Sequence, residues 1–213
     1  IKPIKEAFAD SNCKSLQKLA EQLNHCPVLI EKLDKELEEE LKALKEFVDE
    51  ADFIGETGLD FFIKNGKEEF EKQKSVFERH LAFSSKKPFV FHIVQAHGKA
   101  LDILQAHSVL GFVHSFSGSY EVAKRYIDLG LRLSFSSSVL SKNFVKARES
   151  LKKIPLDSLL LESDSPRSQV AEDGEDPIEI FFKTAQEIAN LREIKLDTLL
   201  EQVSINFNSL RPQ

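Results

Sequence analysis

Several residue types are scarce in this 213-residue chain. It contains no Met, no Trp and only 2 Cys. Two cysteines cannot build a disulfide scaffold, and their small number favours a reducing location such as the cytoplasm. No apolar run approaches the roughly 20 residues that a membrane-spanning helix needs, so no membrane association is expected.

Glycine and net positive charge are also scarce. With only 8 Gly, the chain has neither a G-x-G-x-x-G sequence nor a Walker sequence, which disfavours the nucleotide-binding folds that depend on those loops. Its 29 basic and 35 acidic residues give a net charge of -6. The surface as a whole therefore does not attract nucleic acid, and any binding of phosphate needs a local patch or a metal.

Short apolar runs alternate with amphipathic stretches along the chain. The predicted strands cover residues 26–30, 52–54, 88–92, 109–113, 131–135 and 158–161. The predicted helices cover residues 32–48, 68–83, 96–104, 120–129, 142–151, 177–190 and 197–206. Apolar runs without alternation are typical of strands that helices cover on both faces. The order of the elements predicts βαβ units and a parallel α/β architecture.

Two parallel architectures are candidates, an open doubly wound sheet and a closed (β/α)8 TIM-type barrel. The lack of a glycine-rich loop after the first strand favours the barrel. A barrel needs eight strands, however, and two helix signals before residue 24 follow one another with no strand between them. The low strand count, the adjacent helix signals and the absent Met together predict that the first strands and other segments are missing from the given sequence. The predicted gaps lie before Ile1, near 10–11 and near 30–31. We expect a single barrel domain over residues 1–213, incomplete in its N-terminal part.

Four of the predicted strands lead into a residue that can bind a metal. These residues are Glu56, His92, His114 and Asp164. Because all strands of a β/α barrel end on the same face, such residues can meet there although they lie far apart in sequence. Imidazole and carboxylate ligands suit Zn²⁺, Mn²⁺ or Fe²⁺. Such an ion activates water while a nearby carboxylate accepts the proton, so hydrolysis is the indicated class of reaction.

Each of the four residues also has a structural explanation. A lone His after an apolar run, such as His92, is usually an ordinary core or surface residue. Glu56 can cap the following turn, and Asp164 can be an N-cap before Ser165-Pro166. Their repeated placement after predicted strands favours the functional interpretation of the set.

The other histidines lack this placement. His25, His97 and His107 are predicted to be surface residues, and His80 on a predicted helix is predicted to be structural. None of them is a candidate ligand.

Five segments carry a more specific signal. They are Gly55-Glu-Thr-Gly-Leu-Asp60-Phe-Phe, the helix 73–82, Pro88-Phe-Val-Phe-His92, Gly111-Phe-Val-His-Ser-Phe-Ser-Gly-Ser119 and Leu159-Leu-Leu-Glu-Ser-Asp-Ser-Pro166. In their order and spacing they resemble the TatD-type metal-dependent deoxyribonucleases. The resemblance extends from about Asp52 to the C-terminus.

The resemblance implies an amidohydrolase-like β/α barrel that holds one or two divalent metals, Mg, Mn or Zn. The ligands that it implies are Glu56, His92, His114 and Asp164. Asp164 and Glu56 are the candidate catalytic residues, and Asp164 would orient or deprotonate the attacking water. The family cleaves phosphodiester bonds in DNA, often as an exonuclease, so DNA is the expected substrate. No obligate protein partner is expected.

The chain also departs from the family pattern. It has neither the family's H-x-H strand, which supplies two further ligands, nor its G-x-H-P loop. Val94 stands where the family usually has Arg, Ser115 where it has Cys, and Arg167 where it has Tyr; the usual N-E-P turn reads Glu175-Asp176-Pro177. These changes affect the expected substrate range and rate more than the expected fold.

Two other functions therefore stay open. The chain can be a pseudoenzyme that kept the barrel and became a binding protein. It can also be a metal hydrolase of small amides or esters, because the same kind of site polarises a carbonyl group.

Overall fold

The chain divides into two compact units, Ile1–Phe47 and Val48–Gln213. The computed structural model describes residues 27–63, 65–83, 86–164 and 176–211. Among these residues no helix is both long enough and apolar enough to cross a membrane. The assignment of residues 1–213 to a single domain stays a prediction.

Helix α1 (Pro27–Glu46) is the element described in the first unit, and it corrects the first predicted strand. The predicted strand 26–30 is wrong for residues 27–30, which form the first turn of α1; Cys26 lies outside the described residues. Proline suits the first turn of a helix, where its missing N–H needs no partner. The helix also runs through Ile30 and Glu31, so the strand-to-helix junction predicted at 30–31 is absent there, and the expected missing segment near 30–31 stays a prediction. Positions 10–11 lie outside the described residues.

In the second unit, strands and helices alternate. The strands are β1 (Ile54–Asp60), β2 (Phe89–Val94), β3 (Gly111–Val113), β4 (Arg132–Phe135) and β5 (Leu159–Leu161). The helices are α2 (Phe70–Leu81), α3 (His97–Leu104), α4 (Tyr120–Asp128), α5 (Val145–Lys153), α6 (Pro177–Leu191) and α7 (Leu196–Asn208). Two short 3₁₀ helices cover Ser137–Leu140 and Leu156–Ser158. The predicted helices of this unit and the predicted strands from residue 88 onward are confirmed with small shifts at their ends.

The strands form one parallel sheet in the order β1-β2-β3-β4-β5. A doubly wound sheet reverses its direction at a switch point, and this order contains no reversal. Winding in one direction is the arrangement of a (β/α)8 TIM-type barrel, so the predicted α/β barrel class is confirmed. The described strands form an open sheet of 5 strands and do not close the barrel.

The first strand begins later than predicted. β1 starts at Ile54, the last residue of the predicted strand 52–54, and continues through the polar sequence to Asp60. Buried positions along it alternate with less buried ones, so it lacks the continuous apolar run that identifies the other strands. The register of β1 on β2 shifts between Gly55 and Thr57, which leaves Glu56 as the extra residue of a β-bulge. Such a bulge changes the direction of a side chain next to a site.

Aromatic side chains fill the space between α2 and the sheet. Phe77, Phe89 and Phe91 are fully buried. Phe77 meets Phe91 edge-on at 5.9 Å between ring centroids, and Phe89 stacks on Phe91 at 5.6 Å. Burial of each such ring contributes roughly 1.5–3 kcal/mol. This packing fixes β2, the strand that carries His92.

The sequence analysis predicts that His97 is a surface residue, and the structure corrects this prediction. Its ring is half-buried against Phe116, and its Nδ1 lies 3.2 Å from the hydroxyl of Tyr126. Burial lowers the pKa of His97 to about 4. His107 is exposed, as predicted, and His25 lies outside the described residues.

Candidate metal centre

The residues that the sequence analysis selects lie at the carboxyl-terminal end of the parallel sheet, on neighbouring strands. Glu56 is in β1 and His92 is in β2. His114 directly follows β3, and Asp164 lies three residues after β5. Glu56 therefore lies within β1 and not beyond the end of its strand as predicted, and His92, predicted as the last residue of its strand, lies two residues before the end of β2. The parallel register still brings them to the same edge as the other two.

Three of these side chains form a compact group. Glu56, His92 and His114 each offer one ligand atom, and these atoms all lie within 4.8 Å of one another. His92 Nδ1 is 3.7 Å from Glu56 Oε2, and His114 Nε2 is 4.0 Å from Glu56 Oε1. Ligand atoms at about 2.1 Å from one tetrahedral ion would lie about 3.4 Å apart. Small side-chain rotations are therefore enough to bring the three atoms around a cation.

Asp164 adjoins this group. Its Oδ1 lies 3.7 Å from Nε2 of His114, and its side chain is mostly buried. Burial raises the pKa of Asp164, and the charges of Glu162 and Glu56 act in the same direction, against the opposing effects of His114 and Ser115. The structure thus brings all four predicted residues together.

His114 has a fixed orientation. Its Nδ1 lies 2.8 Å from Glu162 Oε2, and because a carboxylate only accepts, Nδ1 carries the proton and donates it. In the neutral ring, Nε2 then carries the lone pair, which is directed towards Glu56 and Asp164. A carboxylate on the far nitrogen is the usual partner of a histidine that binds a metal.

The electrostatics of the site favour a cation. Burial lowers the pKa of His114, but the hydrogen bond and the charge of Glu162, together with the charges of Glu56 and Asp164, outweigh it and raise the pKa to about 9. Three carboxylates therefore surround one imidazole strongly enough to hold a positive charge there. A mixed nitrogen and oxygen donor set in such surroundings fits a divalent metal.

Two further carboxylates in the site are not among the residues selected from the sequence. Glu162 accepts from His114 and also from the backbone N of Ser115, at 2.5 Å. Asp60 places Oδ2 at 3.5 Å from His92 Nε2, so that the two nitrogens of this ring face two different carboxylates. A signal for both is present in the sequence, because Asp60 closes β1 and Glu162 directly follows β5, on the strands that lead to the predicted ligands.

His80 supports β1 from the side of α2. Its Nδ1 lies 2.7 Å from Oγ1 of Thr57, the buried residue that follows Glu56. Burial lowers the pKa of His80, which favours the neutral ring. The prediction that His80 is structural is confirmed, and its contact fixes the strand at the bulge.

A cavity of about 130 Å³ opens beside the group. It is lined by His92, Ile93, Val94, His114, Ser115, Ser117, Ser136, Ser138, Phe144 and Asp164. The hydroxyls of Ser115 and Ser136 lie 2.7 Å apart, and Ser136 is 3.2 Å from the hydroxyl of Ser138. One wall is therefore a row of hydroxyl groups. None of the described residues that line the cavity is Lys or Arg.

Comparisons with known proteins show which family the chain belongs to. A family model described as TatD related DNase matches residues 14–211. The chain is 32% identical over 189 residues to an uncharacterized metal-dependent hydrolase from Buchnera aphidicola subsp. Acyrthosiphon pisum, which covers 85% of this chain and 69% of the relative. It is also 32% identical over 158 residues to the uncharacterized metal-dependent hydrolase YjjV from Escherichia coli K12, which covers 72% of this chain and 60% of that protein.

Solved structures show the same similarity. The crystal structure of YjjV, described as a TatD homologue from Escherichia coli K12, matches with a TM-score of 0.74 and 27% identity, over 84% of this chain and 70% of that one. An uncharacterized amidohydrolase from Saccharomyces cerevisiae matches with a TM-score of 0.64 and 18% identity, over 80% of this chain and 70% of that one. At that identity the second match supports the fold alone.

Proposed function

Because the chain belongs to the TatD family, whose relatives are named metal-dependent hydrolases, we propose that it hydrolyses phosphodiester bonds in DNA with a bound divalent metal. The observation that carries the proposal is the convergence of ligand atoms from Glu56, His92 and His114 within 4.8 Å. The description of the family model as a DNase supports DNA as the substrate. The chain spans 60–69% of the length of the two curated relatives, so the activity of the whole protein is part of the proposal.

The proposed ligands are Glu56, His92, His114 and Asp164. Nitrogen and oxygen donors of this kind suit Mg, Mn or Zn, as one or two ions. Glu162 is proposed as the residue that orients His114, since its hydrogen bond selects the tautomer with a free Nε2.

Asp164 is the proposed general base. A partly buried carboxylate with a raised pKa holds a proton more readily than a solvated one, which suits it to accept the proton of an attacking water. Glu56 is the second candidate catalytic carboxylate, and its side chain is 55% exposed, so that substrate can reach it. When a divalent cation is bound, it lowers the pKa of the attacking water and offsets negative charge on the phosphate.

The serine wall is proposed to orient the substrate. Ser115 and Ser136 line the cavity beside Asp164, and rotation of their hydroxyls away from their present partners would let them donate hydrogen bonds to oxygen atoms of the scissile group. A substrate held on this wall would lie next to the proposed base, which is the positioning that lowers the entropic part of the barrier.

The test combines metal analysis with a nuclease assay. Purified protein should contain about one or two divalent ions per chain and cleave single-stranded or double-stranded DNA, and a chelator should abolish the cleavage. His92→Ala should lose bound metal, and Asp164→Asn should lose most of the activity. His107→Ala, which changes an exposed histidine away from the group, is the matched control and should behave like wild type. Protein that holds no metal and cleaves no substrate would instead be a pseudoenzyme.

A second candidate is the hydrolysis of small amides or esters. It is favoured by the absence of Lys and Arg among the described residues that line the cavity, since such a wall suits a neutral substrate as well as a phosphate. Activity on lactones or amides, with none on DNA, would select this function. The two cysteines of the chain are the basis for proposing that either reaction takes place in the cytoplasm.

A further inference from the structure

The turn that follows β1 carries an exposed aromatic ring beside the metal centre. Phe62 is 75% exposed, the highest value among the large hydrophobic residues that the structure describes, and its neighbour Ile63 is 52% exposed. We propose that Phe62 is a stacking platform for a nucleobase of the substrate. The proposal rests on the proposed function, since it assumes a nucleic-acid substrate at the centre.

The backbone that carries Phe62 is held in place. Asp60 Oδ1 accepts from the backbone N of Phe62 at 2.8 Å and from that of Ile63 at 3.3 Å. The side-chain amide of Gln73 bonds to the N and the O of Asp60, at 2.7 and 3.0 Å, and to the O of Gly66 at 2.8 Å. Both ends of the turn are therefore tied to α2.

The two aromatic residues of the turn have different surroundings. The ring of Phe61 packs edge-on against Phe70, with 5.8 Å between centroids, and packs against the hydrophobic core. Phe62 is left in solvent. Because the backbone of Phe62 is already held in place, only the side-chain rotation of its ring has to be fixed when it stacks on a ligand, which favours binding.

Asp60 connects this turn to the proposed metal ligands. While its Oδ1 caps the turn, its Oδ2 lies 3.5 Å from Nε2 of His92. The Cα atoms of Asp60 and Phe62 are separated by two peptide units and are at most about 7 Å apart. A nucleotide whose phosphate lies at the centre therefore has a base, its own or that of a neighbour, within reach of this ring.

The chemistry of the patch favours a nucleobase over a protein or a membrane. Phe62 and Ile63 form a patch of two exposed side chains, whereas a stable protein interface buries about 800 Å² on each partner. Binding at a membrane surface requires the apolar face of a whole amphipathic helix. Stacking needs only one flat ring, and every base offers a π-face to it.

The proposal is tested by binding, separately from hydrolysis. The probe is a fluorescent single-stranded oligonucleotide, together with a set in which each position in turn is abasic, and the protein carries Asp164→Asn so that the DNA is not cleaved. Phe62→Ala is expected to weaken binding of the intact oligonucleotide about 10-fold, as the loss of one stacked base predicts. Phe62→Trp should restore it. One oligonucleotide of the set lacks the base that stacks on Phe62. The protein that retains Phe62 and its Phe62→Ala variant should bind that oligonucleotide with equal affinity.

Phe207→Ala is the matched control. Phe207 is 42% exposed and stacks on Phe53 at 5.6 Å, at the other end of β1 from the turn. This variant should bind the oligonucleotide like the protein that retains Phe207. Circular dichroism spectra of the variants should be identical, because none of the changes removes a fully buried side chain.

Three results would overturn the proposal: no binding of any oligonucleotide, equal binding with and without the ring of Phe62, or a loss that persists at every abasic position. If Phe62→Ala instead changed the oligomeric state and left DNA binding unchanged, the patch would be a contact between copies of the chain. Failure of the proposed function is measured separately, by metal analysis and the nuclease assay: the wild-type protein would lack metal and would not hydrolyse DNA.

Discussion

His114 donates its Nδ1–H to Oε2 of Glu162 across 2.8 Å. The same carboxylate accepts from the backbone N of Ser115, so Glu162 fixes both the ring and the chain that carries it. Glu162 directly follows β5 and His114 directly follows β3. Their hydrogen bond therefore links two strands that β4 separates in the sheet. The orientation of one proposed ligand therefore depends on a residue that is not itself among the proposed ligands.

Replacing Glu162 by Gln is expected to weaken metal binding by about 10- to 100-fold, the usual effect of losing an orienting carboxylate. The amide can still accept a hydrogen bond but carries no charge, so His114 becomes a weaker donor of electron density to the metal. Titration calorimetry with Mn²⁺ or Zn²⁺ measures the change. Glu149→Gln, at an exposed glutamate paired with Lys152, is the control and should leave the affinity unchanged. Equal affinities for the two variants would contradict the role of Glu162.

The stability of the metal-free protein is expected to fall as the pH rises from about 6.5 to about 9. Burial alone would lower the pKa of His114, but Glu162, Glu56 and Asp164 raise it from 6.5 to about 9. A raised pKa in the folded state contributes stability that is complete below the unfolded-state pKa and is lost as the pH passes through the folded-state value. The loss should be of the order of 2–3 kcal/mol.

Urea unfolding in the presence of a chelator, at several pH values across this range, measures that loss. Glu162→Gln should flatten the dependence, because it removes the hydrogen bond and the largest charge effect that raise the pKa of His114. A wild-type stability that stays constant between these pH values would show that His114 is not held in its charged form.

Gly58→Ala is expected to destabilise the protein by about 3 kcal/mol or more. Gly58 has φ of +151°, and a Cβ there would lie 2.1 Å from the backbone O of His92. The added methyl group must separate β1 from β2 at the candidate metal centre, and the backbone conformation is strained for any residue with a Cβ. Thermal or urea unfolding measures the change.

Gly98→Ala is the comparison for that experiment. Gly98 lies in α3 and a Cβ there meets nothing within 4 Å. Because alanine has the higher helix propensity, this variant should be neutral or more stable by up to about 1 kcal/mol. If both alanine variants lost the same stability, the close contact of β1 with β2 would not be the cause.

Asn206→Asp is expected to destabilise the protein by roughly 2–3 kcal/mol. The buried amide of Asn206 donates to the backbone O of Leu156 and to that of Leu159, each at 2.8 Å. A carboxylate has no N–H to donate, so both carbonyl groups lose the hydrogen bond from residue 206 and a charge is buried beside them. Asn190→Asp, at an exposed position on α6, should change the free energy of unfolding by less than about 0.5 kcal/mol. A similar cost at both sites would contradict this account.

Sequence patterns predict most of the elements of the second unit because each is encoded in neighbouring residues. The continuous apolar run of residues 88–92 identifies β2, and the helical spacing of apolar residues identifies α2. The same patterns fail where a strand contains both buried and exposed residues, or where an apolar run fits a strand and a helix equally well. β1 has a polar sequence, and the apolar run that opens with Pro27 predicts a strand although it begins α1.

The sequence by itself determined the parallel α/β class and selected four residues of the candidate site, because the order of apolar runs and the positions of Glu, His and Asp at or after the ends of the predicted strands are local properties of the chain. Only the tertiary structure decided which atoms meet. The bulge at Glu56, the bond from His114 to Glu162 and the two contacts of Asp60 depend on the register between strands. Register is set by the packing of segments far apart in sequence, which no local pattern records.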